Sequence, residues 1–218
     1  MANNKNSTPI ADEHYIKRLI SEGEHQQLDF KFEISDSRKI ARTLVAFANT
    51  DGGRLLVGVK DNGAIAGIRS EEEYYMVEGS SSLYCKPNVP FNVAKWNING
   101  KVVLEVIIEK SNVPCYALSD ENKWLAYVRV DDKNILANRI LLEVWKRKNK
   151  PRGTFIEYSK SEKELLHYLS SNPTITLSSC CKVSKVTRKT AESILINLIS
   201  LNIIDIHLSE KGAVYSLK

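Results

Sequence analysis

The run Glu24–Glu33 combines alternating apolar side chains with closely spaced charges, and it constrains the fold of this chain more than any other segment. Its apolar members recur at every second position, which is the period of a strand with one buried face. These apolar residues are Leu28, Phe30 and Phe32. We therefore expect a strand over residues 27–33 that presents Asp29 and Lys31 on its opposite, exposed face.

The charged face of this strand has two interpretations. A carboxylate beside a lysine can hold a phosphate, either directly or through a metal ion. The same pattern is also typical of an ordinary solvated strand face. The strand by itself leaves both interpretations open.

Composition narrows the class of protein. The chain has 218 residues, of which 43% are hydrophobic, so one large domain or two small ones can form a core. A net charge of +5 is compatible with a polyanionic partner. No apolar run approaches the roughly 18 residues that span a bilayer. The four cysteines form no CxxC pair and the four histidines are scattered. We expect a cytoplasmic protein with no zinc site and no membrane partner.

Periodicity and turn residues divide the chain into two domains. We predict a flexible N-terminal tail over residues 1–12, a first domain over 13–150, a linker over 151–160 and a second domain over 161–218. In the first domain, the predicted helices are 10–21, a helix capped by Ser35 or Asp36 that ends near 49, 71–84 and 135–148. The predicted strands there, besides 27–33, are 54–59, 64–68 after a turn at 60–63, 91–97, 101–108 and 126–130.

The second domain has the order of a winged helix-turn-helix, with three helices followed by a two-stranded hairpin. The predicted helices are 161–170, 176–183 and 187–201, and the predicted strands are 203–208 and 213–217. Residues 165–191 contain no acid, yet hold four cations around the start of the third helix. These candidate DNA contacts are Lys182, Lys185, Arg188 and Lys189. Winged helices also bind proteins or form dimers. A protein-interaction or dimerisation module without catalysis is therefore an alternative function.

Several motifs of the first domain together resemble the Schlafen-type Alba-like domain, which was once grouped with the AAA ATPases. The motifs lie in the family's order over about residues 13–145: Asp29–Lys31, Ala46–Gly53, Leu56–Asp61, Gly63–Gly67, Val106–Ser111, Pro114–Tyr116 and Ala126–Arg129. The resemblance implies a domain that binds DNA. Bacterial members pair it with a C-terminal winged helix and are described as transcriptional regulators. The expected fold class is α+β, with a mixed α/β domain followed by a winged helix-turn-helix.

Some Schlafen-type domains are metal-dependent ribonucleases, and this resemblance implies a candidate catalytic and metal-binding trio. Glu24, Asp29 and Asp61 would hold Mg²⁺ or Mn²⁺, and Lys31 would offset charge on the phosphate. The family usually has Glu where Asp29 stands. The alternative to a metal site is structural. Asp61 would then serve only the local hydrogen bonding of its turn, and Asp29 would be part of a solvated strand face. No phosphate-loop motif GxxxxGK[ST] occurs in the chain.

Two further cations of the first domain are candidate nucleic-acid contacts in addition to Lys31. Arg54 is a candidate contact to the nucleic-acid backbone. Arg129 could contact a phosphate or pair with an acid. The leading hypothesis is a DNA-binding transcriptional regulator that needs no cofactor. RNA binding, homodimer formation and a Mg²⁺- or Mn²⁺-dependent nuclease are the alternatives.

Overall fold

A computed structural model describes residues 9–148 and 159–218, which form two compact units, Met1–Leu136 and Ala137–Lys218. The first eight residues of the predicted tail and most of the predicted linker, residues 151–158, lie outside the described residues. The mixed α+β class predicted from the sequence is confirmed.

The first unit contains three helices and nine short or medium strands among its described residues. Its helices are α1 (Pro9–Glu22), α2 (Ser37–Asn49) and α3 (Glu72–Tyr84). Its strands are β1 (Leu28–Lys31), β2 (Gly53–Val57), β3 (Cys85–Lys86), β4 (Phe91–Ile98), β5 (Lys101–Ile108), β6 (Tyr116–Leu118), β7 (Trp124–Leu125), β8 (Tyr127–Val130) and β9 (Lys133–Leu136).

The central sheet of this unit has the order β1-β2-β5-β4, and only the β1–β2 pair is parallel. Strands β1, β2 and β5 are mostly buried on both faces, whereas the edge strand β4 is largely half-buried or exposed. Leu55 and Val57 of β2 join the core formed by α2 and α3, whereas Leu56 joins the core formed with α1. Helix α2 begins after Asp36, whose carboxylate accepts hydrogen bonds from the Arg38 and Lys39 amides as a helix N-cap.

The predicted return strand 64–68 does not form. Only an isolated bridge between Val59 and Ile65 remains, and β5 pairs with β2 instead. Gly58 redirects the chain with a φ of +94°, and its carbonyl accepts hydrogen bonds from the amides of Ala66 and Gly67. A glycine adopts this left-handed conformation without the steric cost that a Cβ would bring.

The prediction of a helix over residues 135–148 is wrong for its first residues. The helix that does form belongs to the second unit and not to the first domain, where it was expected. Ile135 and Leu136 belong to β9, which pairs with β8 across a turn containing Asp131 at a φ of 54°. Helix α4 (Arg139–Lys148) packs into the core of the second unit through Ile140 and Val144. The division between units therefore falls before α4 and not near residue 150.

The second unit completes its core with three more helices and a three-stranded sheet. The elements are α5 (Lys160–Ser171), β10 (Ile175–Thr176), α6 (Leu177–Val183), α7 (Arg188–Ser200), β11 (Ile204–Ser209) and β12 (Gly212–Leu217). The sheet order is β10-β12-β11, and β10 was not expected from the sequence. Across both described stretches of the chain, every helix is too short or too polar to cross a bilayer.

Candidate nucleic-acid interface

Asp29 and Arg129 form a buried ion pair inside the first unit. The Arg129 Nη2 atom lies 3.0 Å from Asp29 Oδ1, and the two side chains are 1% and 5% exposed. The sequence predicted Asp29 on an exposed strand face. That prediction is wrong because α2 and the strands β8 and β9 cover this face, while α1 covers the opposite one.

Arg129 makes further hydrogen bonds within the unit. Nη2 donates to the Leu28 carbonyl oxygen at 3.1 Å, and Nη1 donates to Asn134 Oδ1 at 3.1 Å. The guanidinium carbon lies 5.1 Å from the centre of the Phe47 ring. Arg129 therefore pairs with an acid and connects β8 to β1, and it is too deeply buried to meet a nucleic-acid phosphate.

Glu24 and Lys31 complete this polar cluster at its edge. Glu24 Oε1 accepts a hydrogen bond from the Phe30 amide at 2.8 Å, and burial together with the nearby Asp29 charge raises the pKa of Glu24. Lys31 Nζ donates to the Phe30 carbonyl at 2.7 Å. It also lies 2.8 Å from Asp29 Oδ2, although without the alignment of a hydrogen bond. Lys31 is thus held by its own strand.

The predicted metal-binding trio is not assembled. No group of three or more His, Cys, Asp or Glu side chains in residues 9–148 and 159–218 is arranged to hold a metal ion. Glu24 and Asp29 are neighbours, but Asp61 lies exposed in the turn at residues 60–63 and does not join them. Both oxygens of Asp29 already face protein cations. The residues present do not fit a Mg²⁺ or Mn²⁺ site that needs all three carboxylates.

Arg54 lies on the face of the sheet opposite to Asp29. It forms an ion pair with a carboxylate that was not recognised from the sequence. Its Nε lies 3.1 Å from Oε1 of Glu105, and the Arg54 side chain is 42% exposed. The buried Glu105 also accepts hydrogen bonds from the Tyr15 hydroxyl at 2.7 Å and from Trp96 Nε1 at 2.8 Å. The available signal was a single acid within the apolar strand β5.

The second unit presents the predicted basic residues on its surface. Lys182 lies in the last turn of α6, and Lys185 lies in the connecting turn with a φ of 52°. Arg188 and Lys189 are the first two residues of α7. All four are exposed. Thr187 caps α7 by accepting a hydrogen bond from the Thr190 amide at 3.3 Å. The turn and the helix start therefore form one solvent-facing cationic surface, which we call the basic turn and define as residues 182–189.

Only one cation of the basic turn has a carboxylate partner among the described residues. Arg188 Nε donates to Oε1 of Glu192 at 3.2 Å. Glu192 is 15% exposed, and its Oε2 lies 3.7 Å from Arg139 Nη1 of α4. Glu192 was also missed from the sequence, although it is the first acid after the acid-free stretch and stands four residues after Arg188.

Comparison with solved structures finds several similar chains at low sequence identity, among them the following two. The DIP2311 protein of Corynebacterium diphtheriae is 20% identical, with a TM-score of 0.46, over 64% of this chain and 32% of its own. The present chain thus spans about a third of that protein. The N-terminal domain of a RecG-related protein of Nitrosomonas europaea is 18% identical, with a TM-score of 0.39, over 66% of this chain and 96% of its own.

Sequence comparison assigns the family. No curated protein matches the chain. The profile of the family described as "Schlafen, AlbA_2" matches residues 24–138, which is more than half of the chain and includes the Asp29–Arg129 pair. The resemblance predicted from the sequence motifs is confirmed over this range. The chain therefore belongs to the Schlafen AlbA_2 family.

Proposed function

We propose that this protein binds double-stranded DNA as a transcriptional regulator and that its second unit is a winged helix. The order α5, α6, α7 and then the hairpin β11–β12 supports the assignment. In such modules the second helix of the helix-turn-helix enters the major groove with its N-terminal residues against the bases. Here that element is α7.

The observation that carries the proposal is the charge of the basic turn. Lys182, Lys185 and Lys189 are exposed, and none has a salt-bridge partner within the parts of the chain that the structure describes. Each of these lysines is therefore free to approach a DNA phosphate. The amide groups of the first turn of α7 add a partial positive charge beside them.

Membership of the Schlafen AlbA_2 family supports nucleic-acid binding by the first unit. RNA is the alternative ligand there, and homodimer formation would match a two-fold symmetric DNA site. The nuclease alternative gains no support, because Asp61 is not assembled with Glu24 and Asp29. We also propose the cytoplasmic location expected from the sequence.

Fluorescence anisotropy of a labelled duplex tests the proposal with the full chain. For the wild type, we expect the logarithm of the binding constant to fall linearly with the logarithm of the salt concentration. Changing Lys185 and Lys189 together to Ala removes two phosphate contacts and lowers the slope by about 2. The matched control changes Lys160 and Lys163 to Ala on α5, where we expect little effect.

Two results would contradict this proposal. One is the absence of duplex binding at about 50 mM salt, where electrostatic binding is strong. The other is an equal loss in the double variant and in its control, which would show that the basic turn has no special role. Enrichment of promoter fragments over coding fragments in a genomic binding selection would test the regulatory part.

A further inference from the structure

The four cations of the basic turn differ in how their side chains are held. Lys182, Lys185 and Lys189 have no salt-bridge partner among the described residues, whereas Arg188 is bound to Glu192. A free lysine is a mobile point charge, which suits contact with phosphates at many positions. A guanidinium held by a carboxylate has a restricted orientation, which suits the recognition of one base edge.

The contact with Glu192 leaves the recognition edge of Arg188 available. It uses Nε, at 3.2 Å, and neither Nη1 nor Nη2 donates a hydrogen bond within the described residues. The Arg188 side chain is 77% exposed at the first position of α7. Its two terminal nitrogens can therefore form the paired hydrogen bonds that arginine makes with O6 and N7 of guanine in the major groove.

Glu192 is itself fixed in place. Its side chain is 15% exposed, and Arg139 of α4 lies 3.7 Å from its second oxygen. Both contacts lie within the second unit. The carboxylate is thus held between two arginines, and it orients the more exposed edge of Arg188 without needing to touch DNA.

We infer that Arg188 reads a guanine in the major groove and that Glu192 is its positioning residue, whereas the three lysines of the basic turn bind phosphates. This inference rests on the proposed function. It names the ligand feature, a guanine O6/N7 edge, and separates the residue that gives sequence preference from those that give general affinity.

The experiment begins with selection of preferred sites from random duplexes by the full chain. We expect a guanine at one position of each selected site. Replacing that guanine by 7-deazaguanine removes the N7 acceptor and keeps O6, so wild-type binding should weaken, by no more than the roughly 5- to 150-fold expected for loss of the whole paired contact. In Arg188→Ala the same replacement should have no effect.

Further variants separate orientation from charge. Arg188→Lys keeps the charge but not the planar guanidinium, so it should weaken the guanine preference while keeping the salt slope. Glu192→Gln should reduce the preference and leave the slope unchanged, whereas Lys189→Ala should lower the slope by about 1 with the preference intact. Thermal unfolding of each variant, followed by circular dichroism, confirms that the second unit is folded.

The outcomes distinguish this inference from the proposed function. Duplex binding without a selected guanine, or an equal 7-deazaguanine effect in wild type and Arg188→Ala, would overturn the role of Arg188 and leave DNA binding in place. An unchanged preference in Glu192→Gln would overturn the positioning role. Absence of binding to every duplex would overturn both the inference and the proposed function.

Discussion

Arg129 Nη2 lies 3.0 Å from Asp29 Oδ1, and this buried pair joins β8 to β1 across 100 residues of sequence. The pair replaces the exposed catalytic face predicted for Asp29. Removing one member of a buried pair leaves the other charge without compensation. Substitutions that remove one member of this pair should therefore lower the stability of the first unit, and such variants should be judged first by unfolding.

Asp29→Ala should destabilise the first unit by about 3–5 kcal/mol, because the Arg129 charge would remain buried without its partner. Urea unfolding of the full chain measures this change. Asp61→Ala is the matched control, since Asp61 is exposed, and it should change the free energy of unfolding by less than about 0.5 kcal/mol. Equal stability of the two variants would contradict a structural role for the pair.

Glu24→Gln should change how stability depends on pH. Burial raises the pKa of Glu24 above its ordinary value of 4.5, so the folded protein binds this proton more tightly than the unfolded chain does. This group therefore contributes stability at low pH that is lost as the pH rises through the raised pKa.

The Gln variant keeps an acceptor for the Phe30 amide but carries no titrating charge. The free energy of unfolding of the variant minus that of the wild type should therefore increase as the pH rises from 4 towards neutrality and then level off. Urea unfolding at a series of pH values gives this difference. A difference that stays constant or falls over the same pH range would show that the raised pKa is wrong.

Gly58→Ala should destabilise the first unit by more than about 1 kcal/mol. Gly58 has a φ of +94°, and a Cβ there would lie 2.8 Å from the backbone of Gly67 and Ile68. Gly100→Ala is the control, because Gly100 also has a positive φ, of +78°, but no atom lies within 4 Å of its added Cβ. Thermal unfolding should show a larger loss for Gly58→Ala, and equal losses would mean that the close approach has no effect.

Glu105→Ala should destabilise the first unit by at least about 2 kcal/mol, because Tyr15 and Trp96 would lose a charged acceptor. The exposed Glu109, just after β5, provides the control substitution Glu109→Ala. Urea unfolding compares the two. If Glu105→Ala were as stable as its control, the hydrogen bonds to Glu105 would contribute nothing measurable.

Local sequence signals predicted most of the helices and the long strands. Asp36 was identified as one of two candidate caps of α2, and the helix predicted over 187–201 agrees with α7 to within one residue at each end. These features depend on residues within one or two turns of each other, so the sequence contains the needed information. Strand β10 was missed because its partner, β12, lies far along the chain. Strand β9 pairs with the neighbouring strand β8, and it was missed because Ile135 and Leu136 were assigned to the predicted helix 135–148.

The candidate site of the second unit was predicted only in part. The basic turn was predicted from its composition, because a cluster of cations without nearby acids remains on the surface in most packings. Glu192 was not recognised, although its spacing from Arg188 is a local signal.

The sequence by itself determined the family, the mixed α+β class and the position of the cationic stretch, since all three follow from motifs and local periodicity. Only the tertiary structure decided that Asp29 is buried against Arg129. A strand with alternating apolar residues can be buried on one face or on both. In β1 the face that carries Asp29 is also buried, because α2 and strands far along the chain pack against it. That long-range packing changed Asp29 from a candidate catalytic acid into half of an internal ion pair.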